Sequence, residues 1–227
     1  MDFIHQFFFG IYPYIALAIF LLGSLIRFDR EQYTWKSEST QVLHRGQLRL
    51  GSILFHVGII GLFFGHMAGL LTPVVVWDTL GVTHGVKQLV AMVAGGVMGA
   101  MCLAGIVILL VRRLANERLR HATTLKDKVV LLWILATLLL GLSSIYVSAS
   151  HMDGHTMVTL MNWAQHIVTF RGDAASFIVG APLLFKLHLF MGMSLFVIFP
   201  FTRLVHVWSG FGALTYLGRA YQLVRTR

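Results

Sequence analysis

Four histidines lie in or at the edge of stretches where almost every other residue is apolar: His56 and His66 within 50–77, His188 and His206 within or just beyond 174–202. Any one of them, taken singly, reads equally well as a neutral ring hydrogen-bonded to a neighbouring helix, because an imidazole can be a core residue, a proton carrier or a metal ligand. Four on two stretches narrow the choice. If the two stretches run antiparallel, His56 faces His206 at one level and His66 faces His188 at another. Two stacked pairs of neutral imidazoles are what two non-covalent b-type haems need, each iron taking one ring from each of two facing helices. Zinc fits less well, since it takes four ligands around one point and no carboxylate or thiolate stands near these positions in the sequence. A histidine proton relay in a haem-free transporter stays open at this point, as does a purely structural anchor. The one cysteine, Cys102, excludes an internal disulfide, an iron–sulfur cluster and haem attachment through Cys-x-x-Cys-His.

Helix geometry tests the pairing. In a straight helix His188 and His206 would point the same way about 27 Å apart, whereas His56 and His66 would lie about 15 Å apart and about 80° off a common face. Something must absorb the difference, and Pro200 between His188 and His206 supplies a bend by removing a backbone hydrogen bond. Gly58, Gly61, Gly65 and Gly69 recur at spacings of three and four, which makes a bare strip suited either to a porphyrin or to close helix packing. Gly95, Gly96 and Gly99 allow the same two readings. At one rim Arg112, Arg113 and Arg203 offer cations that could pair with haem propionates or with lipid phosphates.

The elements that must position these residues are legible from composition. Of the 227 residues 57% are hydrophobic and only 12% charged, with a mean hydropathy of +0.77; soluble domains carry about a quarter charged residues. A net charge of +9 raises nucleic acid as a partner, but the cations fall in short clusters between long uncharged runs and form no single basic face, which excludes it. Residues 3–26, 50–77, 88–111 and 129–152 contain no Asp, Glu, Lys or Arg, and each is long enough to cross lipid. A fifth run, 174–202, contains only Lys186, near a start at Pro182, and the fifth span is expected at roughly 182–208. The first run follows Asp2, has no basic leader and no small-residue cleavage site, so a retained helix is expected. The fold class is therefore an all-α integral membrane bundle of five transmembrane helices, one membrane domain with spans at roughly 3–26, 50–73, 88–111, 129–150 and 182–208.

Of the 18 Lys and Arg, all but Lys87, Arg171 and Lys186 follow the first, third or fifth span. The positive-inside rule then puts the N-terminus outside and the C-terminus in the cytoplasm. With that orientation His56 and His206 lie toward the cytoplasm, His66 and His188 toward the outside. Between the fourth and fifth spans, 155–170 carries Met157, Leu160, Met161, Ala164, Ile167 and Val168 at helical spacing, with Thr159, Asn162, His166 and Thr169 opposite. This reads as an amphipathic helix lying on the outer surface. The Tyr- and Arg-rich 209–227 reads as a cytoplasmic tail for a partner. His5, His44, His84, His121, His151, His155 and His166 fall in loops or outer segments and read as solvated or interfacial, with a weaker metal reading for His151, His155 and His166.

Several segments together resemble one family: FFFGIYPYIA near the start, FDREQYTW after the first span, LFHVGIIGLFFGHMAGLLTP in the second, HMDG after the fourth, and FKLHLFMGMSLFVIFPFTRLVHVWS in the fifth. They are similar to the gamma subunit of respiratory nitrate reductase, a dihaem cytochrome b of the bacterial cytoplasmic membrane. The resemblance covers nearly the whole chain and implies haem ligation by His56 and His206 on the cytoplasmic side and by His66 and His188 on the outer side. It also implies oxidation of membrane quinol at the outer haem, with electrons passed through the inner haem to a cytoplasmic iron–sulfur beta subunit and a molybdenum-containing alpha subunit, and protons released outside. Lys87 matches the quinol-site lysine of the family, and Gly65 and His66 would form the adjacent wall. The segment from Trp77 to Val86 departs from the family wording, which bears on the shape of the outer pocket. A dihaem subunit of another oxidoreductase, such as a formate dehydrogenase or a heterodisulfide-reductase-like complex, is the main alternative.

Overall fold

Within lipid no water is at hand, so each backbone N–H and C=O must find its partner inside the protein, and a chain this apolar folds as helices. The computed structural model describes residues 2–31, 35, 45–117, 119, 123–150 and 152–210. His44, His121, His151 and the tail beyond 210 lie outside the described residues. Among the described residues five helices are long and apolar enough to cross a membrane: α1 (Phe3–Arg30), α2 (Arg45–Leu71), α4 (His84–Ala115), α5 (Leu125–Ala149) and α8 (Leu183–Ile198, extended by a 3-10 turn to Phe201). Between them lie the short α3 (Val74–Thr79), α6 (His155–Val168) and α7 (Ala174–Phe177). Among the described residues there is no strand.

Starts and stops follow local chemistry. Pro73 and Pro182 stand immediately before α3 and α8, where a missing N–H costs nothing. Thr124 accepts from Asp127 N at 3.2 Å and donates to its carboxylate at 2.9 Å, closing the first turn of α5 from both sides. Thr83 caps α4 in the same manner, accepting from Val86 N.

The two prolines inside spans are each compensated. Pro13 sits within α1 just after a π-helical turn over Phe7–Ile11. Its missing N–H leaves the carbonyl of Phe9 without its usual partner, and the indole of Trp163 on α6 donates to that oxygen at 2.8 Å. Pro200 does more than bend the fifth span. The expected continuous helix over 182–208 is interrupted: α8 ends at Ile198, 3-10 turns follow at Phe199–Phe201 and Arg203–Val205 with Thr202 extended between them, and helix resumes over 206–210. Arg27, at the end of α1, donates 2.7 Å hydrogen bonds to the carbonyls of both Pro200 and Thr202. A residue whose sequence signal was only that of an inner-side cation thus holds the break in shape.

Helices α2 and α4 pack backbone to backbone through glycine. A Cβ on Gly58 would lie 2.5 Å from Cys102 N and 2.6 Å from Met98 O, and one on Gly105 would collide with the backbone of Phe55. Helix α6 forms where the amphipathic pattern places it, but its apolar face is turned into the bundle. Leu160, Trp163, Ala164 and Ile167 are buried against Phe9, Ile178 and Phe185, because the connecting segments 169–182 fold over it. Its polar face also caps a neighbour, with Gln165 donating to the carbonyls of Leu70 and Thr72 at 3.1 Å each at the end of α2.

Removing the Arg27 clamp leaves two carbonyls without charged donors, a loss of about 2–4 kcal/mol. Arg27→Leu is therefore expected to lower the unfolding temperature in detergent, with Arg27→Lys intermediate. An unchanged melting curve for Arg27→Leu would show that the break at 199–205 holds without it.

Candidate functional site

The two pairs read from the sequence meet in space. The rings of His56 and His206 lie with centroids 6.2 Å apart and planes at 75°, and those of His66 and His188 at 6.0 Å and 36°. Each ring is turned by the same device. Nδ1 of His56 bonds the carbonyl of Ser52 at 2.7 Å, that of His66 the carbonyl of Leu62 at 2.7 Å, that of His206 the carbonyl of Arg203 at 2.6 Å, and that of His188 the carbonyl of Thr137 at 3.0 Å. A carbonyl oxygen only accepts, so in every case Nδ1 carries a proton, and in the neutral ring Nε2 then keeps its lone pair. This is the tautomer and orientation of a metal-ligating histidine.

The separation has meaning as well. A metal–imidazole bond is about 2 Å, and two in line plus the half-width of each ring put centroids roughly 6 Å apart. Among the described residues no three His, Cys, Asp or Glu side chains converge on one point. Two protein ligands suit an iron whose other ligands come from a porphyrin, whereas zinc would need four.

A flat group also needs space between the helices. Helix α2 packs on α4 and α6 but not closely on α8. Only 6% of its apolar window is buried by protein, against 17–28% for the other spans. The glycines divide their roles, which corrects the expectation of one continuous strip. Gly58 and Gly61 press on Cys102 and Met98 of α4, while a Cβ on Gly65, beside His66, would meet nothing within 4 Å. Gly69 is nearly as open, 4.0 Å from the tip of Met157, and Gly99 serves helix packing against Leu142 of α5. At the Arg-rich end, Arg112 is buried at 3% exposure, and Arg203 reaches the carboxylate of Asp127 at 3.5 Å.

Lys87, in the first turn of α4, is 6% exposed. Its ammonium sits 4.7 Å from the ring centre of Trp77 and donates to the thioether of Met161. Both are weak partners for a desolvated cation, and among the described residues no carboxylate pairs with it. Such a group is suited to an oxygen acceptor brought in from outside. Its surroundings are built by short-range contacts. His84 Nε2, at the start of α4, lies 3.3 Å from the carboxylate of Asp78 in α3. Gly154 adopts φ +77°, and a Cβ there would stand 2.6 Å from that of His84, so the turn within HMDG needs glycine on both counts. Sequence reasoning missed Trp77 and Met161, which have no periodic signal toward Lys87, and Thr137, which acts through its carbonyl. Lys186, near the start of α8, donates to the carbonyl of Val179 at 2.8 Å. His166 donates to Asp173 at 2.7 Å, which holds that carboxyl below the usual carboxylate range.

Residues 5–227 match the family model described as nitrate reductase gamma subunit. The chain is 49% identical to respiratory nitrate reductase 1 gamma chain of Escherichia coli (strain K12), with both chains covered in full. It is 46% identical to respiratory nitrate reductase 2 gamma chain of the same organism, over all of this chain and 99% of that one. It is 36% identical to nitrate reductase gamma chain of Bacillus subtilis (strain 168), over 98% of each. With five helices able to cross a membrane, the chain is a multi-pass protein of the bacterial inner membrane, and it belongs to the nitrate reductase gamma subunit family.

Proposed function

We propose that this chain is the dihaem cytochrome b subunit of a respiratory nitrate reductase, oxidising membrane quinol on the outer side and delivering electrons to cytoplasmic partners. The observation that carries the reading is the pair of imidazole pairs at 6.2 and 6.0 Å, each ring with Nδ1 on a carbonyl and Nε2 available. His56 with His206 would hold the inner haem and His66 with His188 the outer one. When bound, haem supplies reversible one-electron transfer. The names of the full-length relatives support nitrate as the terminal acceptor of the complex.

The residues of the chain do the remaining work. Lys87, whose partners are Trp77 and the thioether of Met161, would donate to a quinol oxygen or to a propionate of the outer haem. Gly65 and His66 line the adjacent wall, where the missing side chain at Gly65 leaves room for a flat ring. Oxidation of a quinol frees two protons and two electrons. With the cation-rich loops in the cytoplasm, the protons leave on the outer side and the electrons cross, so turnover separates charge. Arg112 and Arg203, at the Arg-rich end of the bundle, would pair with the inner-haem propionates. An iron–sulfur beta subunit and a molybdenum-containing alpha subunit would receive the electrons, a division of labour that suits a chain with one cysteine.

Replacing His56 or His206 by Ala is expected to remove one component of the reduced-minus-oxidised spectrum, and replacing His66 or His188 the other. A shared phenotype for His56→Ala and His188→Ala would overturn the pairing. Lys87→Ala should leave haem content unchanged while quinol-driven haem reduction falls on the order of 10- to 100-fold. A dye that feeds electrons directly to the cytoplasmic subunits should still support nitrate reduction in that variant. Normal quinol-dependent turnover there would remove Lys87 from the quinol site.

A further inference from the structure

Three of the four paired histidines orient themselves. His56 and His66 bond carbonyls four residues back, and His206 a carbonyl three residues back, each on its own stretch of chain. His188 does otherwise: its Nδ1–H crosses to α5 and bonds Thr137 O, 51 residues away in sequence. In an α-helix that carbonyl also accepts from the N–H four residues on, here Gly141, so Thr137 O serves two donors with its two lone pairs. An outside donor reaches it because position 141 has no side chain. A Cβ on Gly141 would stand 2.9 Å from Cε1 of His188, 3.4 Å from Nδ1 and 3.5 Å from Nε2, and its three nearest neighbours all belong to that ring. One further bond fixes the same pair of helices, with the indole of Trp133 donating to Met191 O at 3.0 Å. The pairs 133 with 191 and 137 with 188 run in one antiparallel register.

We infer that Gly141 and the carbonyl of Thr137 form the seat that orients His188 toward the outer haem, so that α5, which carries no ligand, sets the geometry of one haem and not of the other. The inference rests on the outer-haem reading above. Its physical core is a difference between a free ring and a ligated one. A free imidazole at the end of two torsions yields a few tenths of an ångström easily, so Ala at position 141 would cost a purely structural histidine little. A ring held by a carbonyl at Nδ1 and by iron at Nε2 has no such freedom. Thr137 and Gly141 are accordingly positioning residues.

The test uses the full membrane complex. Gly141→Ala is compared with Gly99→Ala, whose Cβ would press on the apolar tip of Leu142 at 2.6 Å and touch no histidine. Haem content, low-temperature electron paramagnetic resonance and a potentiometric titration are read for each haem. Gly141→Ala should abolish most of the outer-haem low-spin signal or shift its midpoint, with the inner-haem signal intact as an internal report on folding, and Gly99→Ala should leave both. If Gly141→Ala lowers complex yield, the same substitution is made in a His188→Ala background. The inference requires the loss of yield to disappear there, since the ring it presses on is gone. Wild-type outer-haem signal and midpoint in Gly141→Ala, or an equal loss of yield in both backgrounds, would overturn the seat. A wild-type complex lacking the outer haem altogether would instead overturn the reading beneath it.

Discussion

An imidazole N–H inside a membrane has to find its acceptor within the protein, and in this chain that demand and the orientation of the histidines meet in a single interaction. Each of four imidazoles spends its Nδ1–H on a main-chain oxygen. The ring is thereby oriented through that one bond, and the rings of His56 and His206 and of His66 and His188 come to lie side by side. An imidazole N–H without an acceptor would be a cost in lipid; each of these four has one. The helices, their breaks and their glycines can be understood as what brings these four bonds to the right levels.

The breaks illustrate this. Two straight helices cannot present histidines at matching levels when the spacings on them differ by roughly 12 Å of rise. The fifth span departs from straightness between its two histidines, at 199–205, and Arg27 satisfies the carbonyls at the break. Pro13 in the first span is treated similarly, with Trp163 supplying the donor that the proline removed. In both cases irregular backbone is tolerated because a side chain from another element completes its hydrogen bonds. The close approach of α2 to α4 through Gly58 and Gly105 leaves most of the rest of α2 uncovered by protein, and His56 and His66 are both exposed on it.

Much of this could be read from sequence because the strongest signals are local. A run of twenty or more apolar residues has one reading in lipid, and five such runs appear as five helices. His56, His66, His188 and His206 stand out because ionisable groups are scarce at that depth. What sequence could not show was contact chosen by tertiary packing. Gly58 and Gly65 share one spacing pattern, yet one meets a neighbouring backbone and the other meets nothing. The apolar face of α6 has the pattern of a lipid-lying helix, but residues 169–182 fold over it and turn it inward. Thr137 was invisible because its oxygen is a backbone atom that any residue would carry. Trp77 lies in a six-residue helix with no period to read, and its relation to Lys87 arises only when α3 folds back on α4.

The central claim is that the two imidazole pairs are haem sites, and the most direct measurement is the haem-to-chain ratio of the purified membrane complex. A pyridine haemochrome assay against quantified protein should give two b haems per chain with no covalently attached haem. A value of one or zero in a fully loaded, undamaged preparation would contradict the account.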